Sequence, residues 1–126
     1  MAWTAVRRAG AASLLDALGW AARRPSPALV RLTAGGVAWL VARLSPGDLV
    51  IGISGSGNSA NVIRAIELAN EKGAVTVGLS GFKGGKLAQI AQHNVITPSE
   101  NMQHIEDVHM VLAHLIFRYL LEEVST

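Results

Sequence analysis

The feature that most constrains this chain is a β-branched run that ends in a serine–glycine loop and passes straight into an amphipathic stretch. Asp48–Ile53 follows the Pro46-Gly47 turn and reads as a strand. Ser54-Gly-Ser-Gly-Asn-Ser-Ala-Asn61 is the loop. Asn58–Lys72 reads as a helix, with Val62, Ile63, Ile66 and Ala69 on one face and Gly73 as its stop. The pattern then repeats. Ala74–Leu79 reads as a second strand and Asn94–Thr97 as a third, stopped by Pro98. A short helix over Gly85–Gln92 lies between them, and a long one over Gln103–Glu123 closes the chain.

Short β-branched runs alternating with amphipathic stretches are the mark of βαβ units and a parallel sheet, and the nearly continuous apolar content of the first two runs fits strands covered on both faces. The expected fold is α/β: a three-layer, doubly wound parallel sheet of flavodoxin-like type, truncated on its N-terminal side. The last helix sets Ile105, Val108, Leu112, Leu115, Ile116, Tyr119 and Leu120 in one stripe, as core or as an oligomer seam.

Residues 1–46 read differently. Ala5–Ala22 and Ala28–Leu44 have helical composition, broken by Pro25-Ser26-Pro27 and weakened by Gly35-Gly36. Six arginines against Asp16 and Asp48 give residues 1–50 a net charge of +4, whereas five Lys/Arg against seven acids give residues 51–126 a net charge of −2. The overall +2 offers no argument for nucleic acid. At 126 residues the chain supplies one core. Its organisation reads as an Ala/Arg-rich helical segment over 1–46 and an α/β half-domain over 47–126.

No uncharged run, Leu32–Ala42 included, reaches the roughly 20 residues a membrane-spanning helix needs. Arg7-Arg8 precede an Ala/Leu stretch as in a secretory signal, but Asp16 interrupts the apolar region. The chain has no cysteine, which removes disulfides, thiolate catalysis and Cys-ligated zinc and agrees with a cytoplasmic location.

The loop after the first strand has the chemistry of an anion cradle. Glycines let the backbone approach closely, the first helical N–H groups lack internal partners, and the helix dipole is positive there, so a phosphate monoester is a natural guest. Ser54, Ser56 and Ser59 add hydroxyl donors. A Walker loop is excluded, because Asn58-Ser59 stand where its lysine belongs. Gly55-x-Gly57-x-x-Ala60 fits a dinucleotide fingerprint formally, but the next strand ends Leu79-Ser80-Gly81 without the ribose-binding acid, leaving only Lys83 for a 2′-phosphate. A serine-rich loop that merely caps a helix is the remaining alternative.

Gly47–Ile66 resembles the phosphate-binding strand, loop and helix of SIS (sugar isomerase) domains. Leu79-Ser-Gly-Phe-Lys-Gly-Gly-Lys-Leu-Ala88 is similar to the next strand end and helix start of phosphoheptose isomerases, and Pro98–His109, running on to His114, resembles their last helix. The resemblance implies an aldose–ketose isomerase acting through an enediol on a seven-carbon ketose phosphate such as sedoheptulose 7-phosphate. It implies substrate contacts from Ser54, Gly55, Ser56, Asn58, Ser59, Gln103 and Glu106, and a catalytic role for His114. Glu106 stands where the family has a glutamine. A non-catalytic phosphosugar-sensing or regulatory SIS module and a non-binding remnant are the alternative functions.

The resemblance also implies a homo-oligomer with shared sites, no nucleic-acid or membrane partner, and no organic cofactor, with zinc possible. Glu106 and His114 are the candidate zinc ligands, but they lie about 12 Å apart along a straight helix and about 80° around it, so one ion cannot easily join both on one chain. Upstream of Asp48 the family has a Gly-Asn-Gly-Gly-Ser-type loop and a helix bearing a catalytic glutamate. Here the one acid in residues 1–46 is Asp16, and Thr33-Ala-Gly-Gly36 lacks the asparagine and serine. The expectation is that the first part is a truncation or frame-shift product joined to a genuine half-domain, with isomerase activity impaired.

Overall fold

The structure, a computed structural model, describes residues 2–6, 28–31 and 44–125. Five strands are present among them: β1 (Ala2–Val6), β2 (Ala28–Arg31), β3 (Leu49–Ser54), β4 (Val75–Ser80) and β5 (His93–Ile96). The described helices are α1 (Ala60–Glu71), α2 (Gly85–Ile90) and α3 (Met102–Val124). The strands form one sheet in the order β2-β1-β3-β4-β5. β3, β4 and β5 run parallel, in register from Leu49↔Val75 to Ser54↔Ser80 and from Val77↔His93 to Ser80↔Ile96.

This parallel unit matches the expected one, with strand limits displaced by about a residue, the usual uncertainty at element ends. The expected helices upstream do not hold where residues are described. Ala2–Val6 and Ala28–Arg31 are strands, and β1 pairs antiparallel with both β2 and β3. β1 therefore covers the β3 edge, which would otherwise invite pairing with another chain. Residues 7–27 and 32–43, which hold the rest of those expected helices, lie outside the described residues.

Alternation along β3 and β4 sends side chains to two separate cores. On one face Val50 meets Val62, Ala65, Ile66 and Ala69 of α1 and Leu87 of α2. On the other, Leu49, Ile51, Val77 and Leu79 meet Leu120, with Leu112, Ile116 and Tyr119 of α3 half-buried around them. Helices thus cover both faces of the sheet, giving three layers. Each fully buried Leu, Ile or Val contributes about 1.5–3 kcal/mol relative to exposure.

The apolar stripe of α3 needs one correction. Ile105, Leu112, Ile116, Tyr119 and Leu120 turn toward the sheet, but Val108 and Leu115 are 39% and 61% exposed. The reason is helical phase: both sit away from the line through Ile105, Leu112 and Leu120 that meets the sheet. Among the described residues no helix is long and apolar enough to cross a membrane.

Candidate functional site

β3 delivers Ser54 to the carboxyl end of the sheet, where its side chain is buried. Its Oγ lies 2.8 Å from Ser59 Oγ and accepts the Ser59 N–H at 3.4 Å. Ser59 is the N-cap of α1, yet its hydroxyl makes no cap bond, because it is spent on Ser54. The first-turn amides of α1 are consequently left without a capping side chain, and they face the same loop. Ser56 Oγ accepts the Asn58 N–H at 3.1 Å, and Ser56 itself is half-buried at the loop's apex.

The loop is held from outside as well. Asn58 donates from Nδ2 to the Ser56 carbonyl at 3.3 Å and accepts the Lys86 N–H at 3.0 Å, tying the loop to the start of α2. Gly57 has φ +70°, and a Cβ there would collide with the Gly84 carbonyl oxygen and come within 3.0 Å of Gly85 N. Gly57 also accepts the Leu87 N–H at 2.9 Å. Only glycine tolerates both the left-handed backbone and this close backbone approach. At the other side, the Gly81 N–H donates to the Gly55 carbonyl at 2.9 Å.

α3 starts on top of this arrangement. Cβ atoms on Gly55 and Gly81 would strike Met102 Sδ and Ile105 respectively, so the two glycines let the helix sit against both strand ends. Asn101 caps it, with Oδ1 accepting the N–H groups of Gln103 at 2.9 Å and His104 at 3.5 Å. Gln103 and Glu106, both exposed, lie in its first two turns. His109 is buried, and its Nε2–H donates to the Ser80 carbonyl at 3.0 Å, as befits a core histidine in the apolar stripe.

His114 stands apart. It is exposed on α3, twelve residues past Met102 and so about 18 Å along the axis from the helix start. Met110, Phe117 and Leu121 share its side of the helix and are 58%, 61% and 49% exposed. The fold therefore brings Ser54, Gly55, Ser56, Asn58 and Ser59 together, sets the start of α3 against them through Met102 and Ile105, and does not bring His114 to them within one chain.

Among the described residues no group of three or more His, Asp or Glu is arranged to hold a metal ion. Glu106 and His114, about 12 Å apart along α3, do not fit a single zinc ion on one chain. Glu67 on α1 has its carboxyl pKa lowered, first by the hydrogen bond from Lys86 at 2.8 Å and further by the charges of Lys86 and Arg64. Sequence reading passed over two features of the site. Ser80 Oγ and Thr97 Oγ1 are buried with no hydrogen-bond partner among the described residues, and nothing in a sequence marks such hydroxyls. Phe82 has φ 51°, and its only sequence signal is its place in a Gly81-to-Gly84 turn.

A model of the SIS domain family matches residues 28–121, reaching upstream of Gly47. The chain is 47% identical over 79 residues to the phosphoheptose isomerase of Aquifex aeolicus, covering 63% of this chain and 41% of that protein. It is 46% identical over 70 residues to the phosphoheptose isomerase of Aneurinibacillus thermoaerophilus, covering 56% and 35%. Among solved structures, the phosphoheptose isomerase GmhA from Neisseria gonorrhoeae superposes with TM-score 0.61 at 34% identity, over 64% of this chain and 46% of that one. A phosphoheptose isomerase from Francisella tularensis gives TM-score 0.63 at 24% identity, over 67% and 47%, a likeness of fold alone. The chain spans less than half the length of each of these proteins.

Proposed function

The chain belongs to the SIS domain family, and from that premise we propose that it binds a sugar phosphate at the Ser54–Ser59 loop. A seven-carbon ketose phosphate such as sedoheptulose 7-phosphate is the proposed ligand, since the relatives named above are phosphoheptose isomerases. The observation that carries the reading is the state of the loop. Ser59 leaves the first-turn amides of α1 without a capping side chain, and Ser56 lies beside them at the apex. A phosphate dianion is the group that such a set of hydroxyls and amides is suited to accept. Gln103 and Glu106 reach the sugar from the start of α3, while Asn58 keeps the loop in shape.

Isomerisation moves a proton between the first two sugar carbons through an enediol, with further proton traffic on the oxygens, and a histidine near neutrality can serve either step. His114 is the proposed catalytic group. Its distance from the loop along α3 favours a site completed by a second copy of the chain, and the exposed apolar face around it favours a homo-oligomer. The same distance gives specific support to a second reading, a phosphosugar-sensing module that binds without turnover. Residues 47–126 carry the site in either case, and the cysteine-free composition supports a cytoplasmic location.

Calorimetric titration with sedoheptulose 7-phosphate tests the shared premise. Binding at or below the millimolar range, about −4 kcal/mol, is expected. A chain that is folded by circular dichroism yet takes up no sugar phosphate at that concentration would reduce the loop to a helix cap.

A further inference from the structure

The inference rests on the sugar-phosphate reading and adds a residue to its site. A phosphate monoester carries about −1.5 to −2 charges at neutral pH. The loop from Ser54 to Ser59 offers hydroxyls, amides and the partial charge of a helix dipole, but no full cation. Three connections meet at the carboxyl ends of β3, β4 and β5, over residues 55–59, 81–84 and 97–101. Lys83 is the one basic residue in them, and Glu100 the one acid. The nearby Lys86 is engaged by Glu67 at 2.8 Å. Lys83 is exposed and, among the described residues, has no hydrogen-bond or ion-pair partner.

The turn that carries Lys83 is fixed to the anion loop on both sides. Before it, the Gly81 N–H donates to the Gly55 carbonyl at 2.9 Å. After it, Gly84 packs directly on Gly57, whose carbonyl accepts the Leu87 N–H at 2.9 Å. The Phe82 N–H donates to the Ser99 carbonyl at 3.0 Å, and Phe82 takes φ 51°, a conformation that costs a bulky side chain energy. These bonds hold the turn in that shape, with Lys83 at its tip beside the loop. A flexible four-carbon stem lets a lysine ammonium sweep the surface around its Cα.

We propose that Lys83 is the cationic arm of the site, its ammonium closing over the Ser54–Ser59 loop to neutralise the phosphate of the bound sugar. A Walker loop carries its lysine within the loop, at the place that Asn58 and Ser59 occupy here. In this chain the neighbouring turn would supply that charge instead.

Titrations with inorganic phosphate and with sedoheptulose 7-phosphate, at low and high salt, test the role. Lys83→Gln should weaken both ligands about tenfold at low salt, near the lower end for a hydrogen bond between charged groups. Added salt should weaken the unmodified chain more than the variant, because it screens an exposed pair. Lys83→Arg should keep most of the affinity and the salt response. Thermal melts should show all three chains equally folded, since the side chain is exposed. If Lys83→Gln binds like the unmodified chain at low salt while Ser56→Ala is weakened, the assignment of Lys83 is overturned and the loop stands. If neither variant loses affinity, the sugar-phosphate reading falls with it.

Discussion

The Ser54–Ser59 loop and the outward face of α3 differ in how completely the described residues satisfy them. Around the loop, side chains and backbone close on one another: Ser54 with Ser59, Asn58 with Ser56 and Lys86, Gly57 with Gly84 and Leu87. What is left open there is polar, as the proposed phosphate guest requires. On α3, Met110, Val111, Leu115, Phe117 and Leu121 lie 49–61% exposed around His114, with nothing among the described residues placed over them. On the proposed reading, the difference teaches that the phosphate would be recognised by groups of one chain, whereas the face bearing His114 is the one a second copy of the chain would cover.

The largest expected effect comes from breaking the first region. Gly57→Ala puts a Cβ into the Gly84 carbonyl and strains a left-handed backbone, so it should destabilise the chain by about 2–4 kcal/mol in urea unfolding. An unchanged midpoint would mean that the contact between the loop and α2 is not tight. Next in size, Ser56→Ala should weaken sugar-phosphate binding by roughly 1.5–3 kcal/mol, the range for a hydrogen bond to a charged group. Ser59→Ala should do the same and also cost stability, because it removes the partner of the buried Ser54 hydroxyl. Calorimetry beside unfolding curves separates the two effects, and equal affinity in both variants would remove the loop from the account.

The contrast between the regions also explains what the sequence disclosed. β3, the loop and α1 were legible because a β-branched run, a Ser/Gly cluster and a 3.6-residue period lie end to end with sharp stops at Gly47 and Gly73. β1 and β2 were not, because the Ala-rich windows around them score as helix, and pairing with β3 is a tertiary effect that local composition does not carry. On α3 the helix itself was plain, but the stripe was drawn too wide, since Val108 and Leu115 are as apolar as the residues that pack. The loop's serines could be named from the pattern. That Ser59 serves Ser54 rather than its own helix, and that Phe82 is left-handed, required coordinates.

Smaller effects sharpen the α3 side. Leu115→Lys with Phe117→Lys should shift sedimentation at tens of micromolar from oligomer to monomer, with unfolding free energy changed by only about 0.5 kcal/mol, as for exposed positions. A chain that is monomeric before the change would contradict the oligomer. Smallest of all is Glu67→Gln on the exposed rim of α1. The Lys86 hydrogen bond lowers the Glu67 pKa, so its stabilising share is present at neutral pH and fades as pH falls through that lowered value. The variant should melt slightly earlier at pH 7 and alike in acid, and an equal loss at both would mean that the pair's charge is irrelevant.

The central claim is that this chain holds a sugar phosphate more completely than it can turn it over. Residues 1–46 offer Asp16 as their one acid, and a general acid–base group contributes typically about 10²- to 10⁴-fold to a proton transfer. The most direct measurement is an isomerase assay at saturating sedoheptulose 7-phosphate, comparing this chain with a fusion bearing the N-terminal half of a phosphoheptose isomerase. The account predicts turnover in the chain alone lower by about that factor, with binding retained. Turnover equal to that of the fusion, and abolished by His114→Ala, would contradict it.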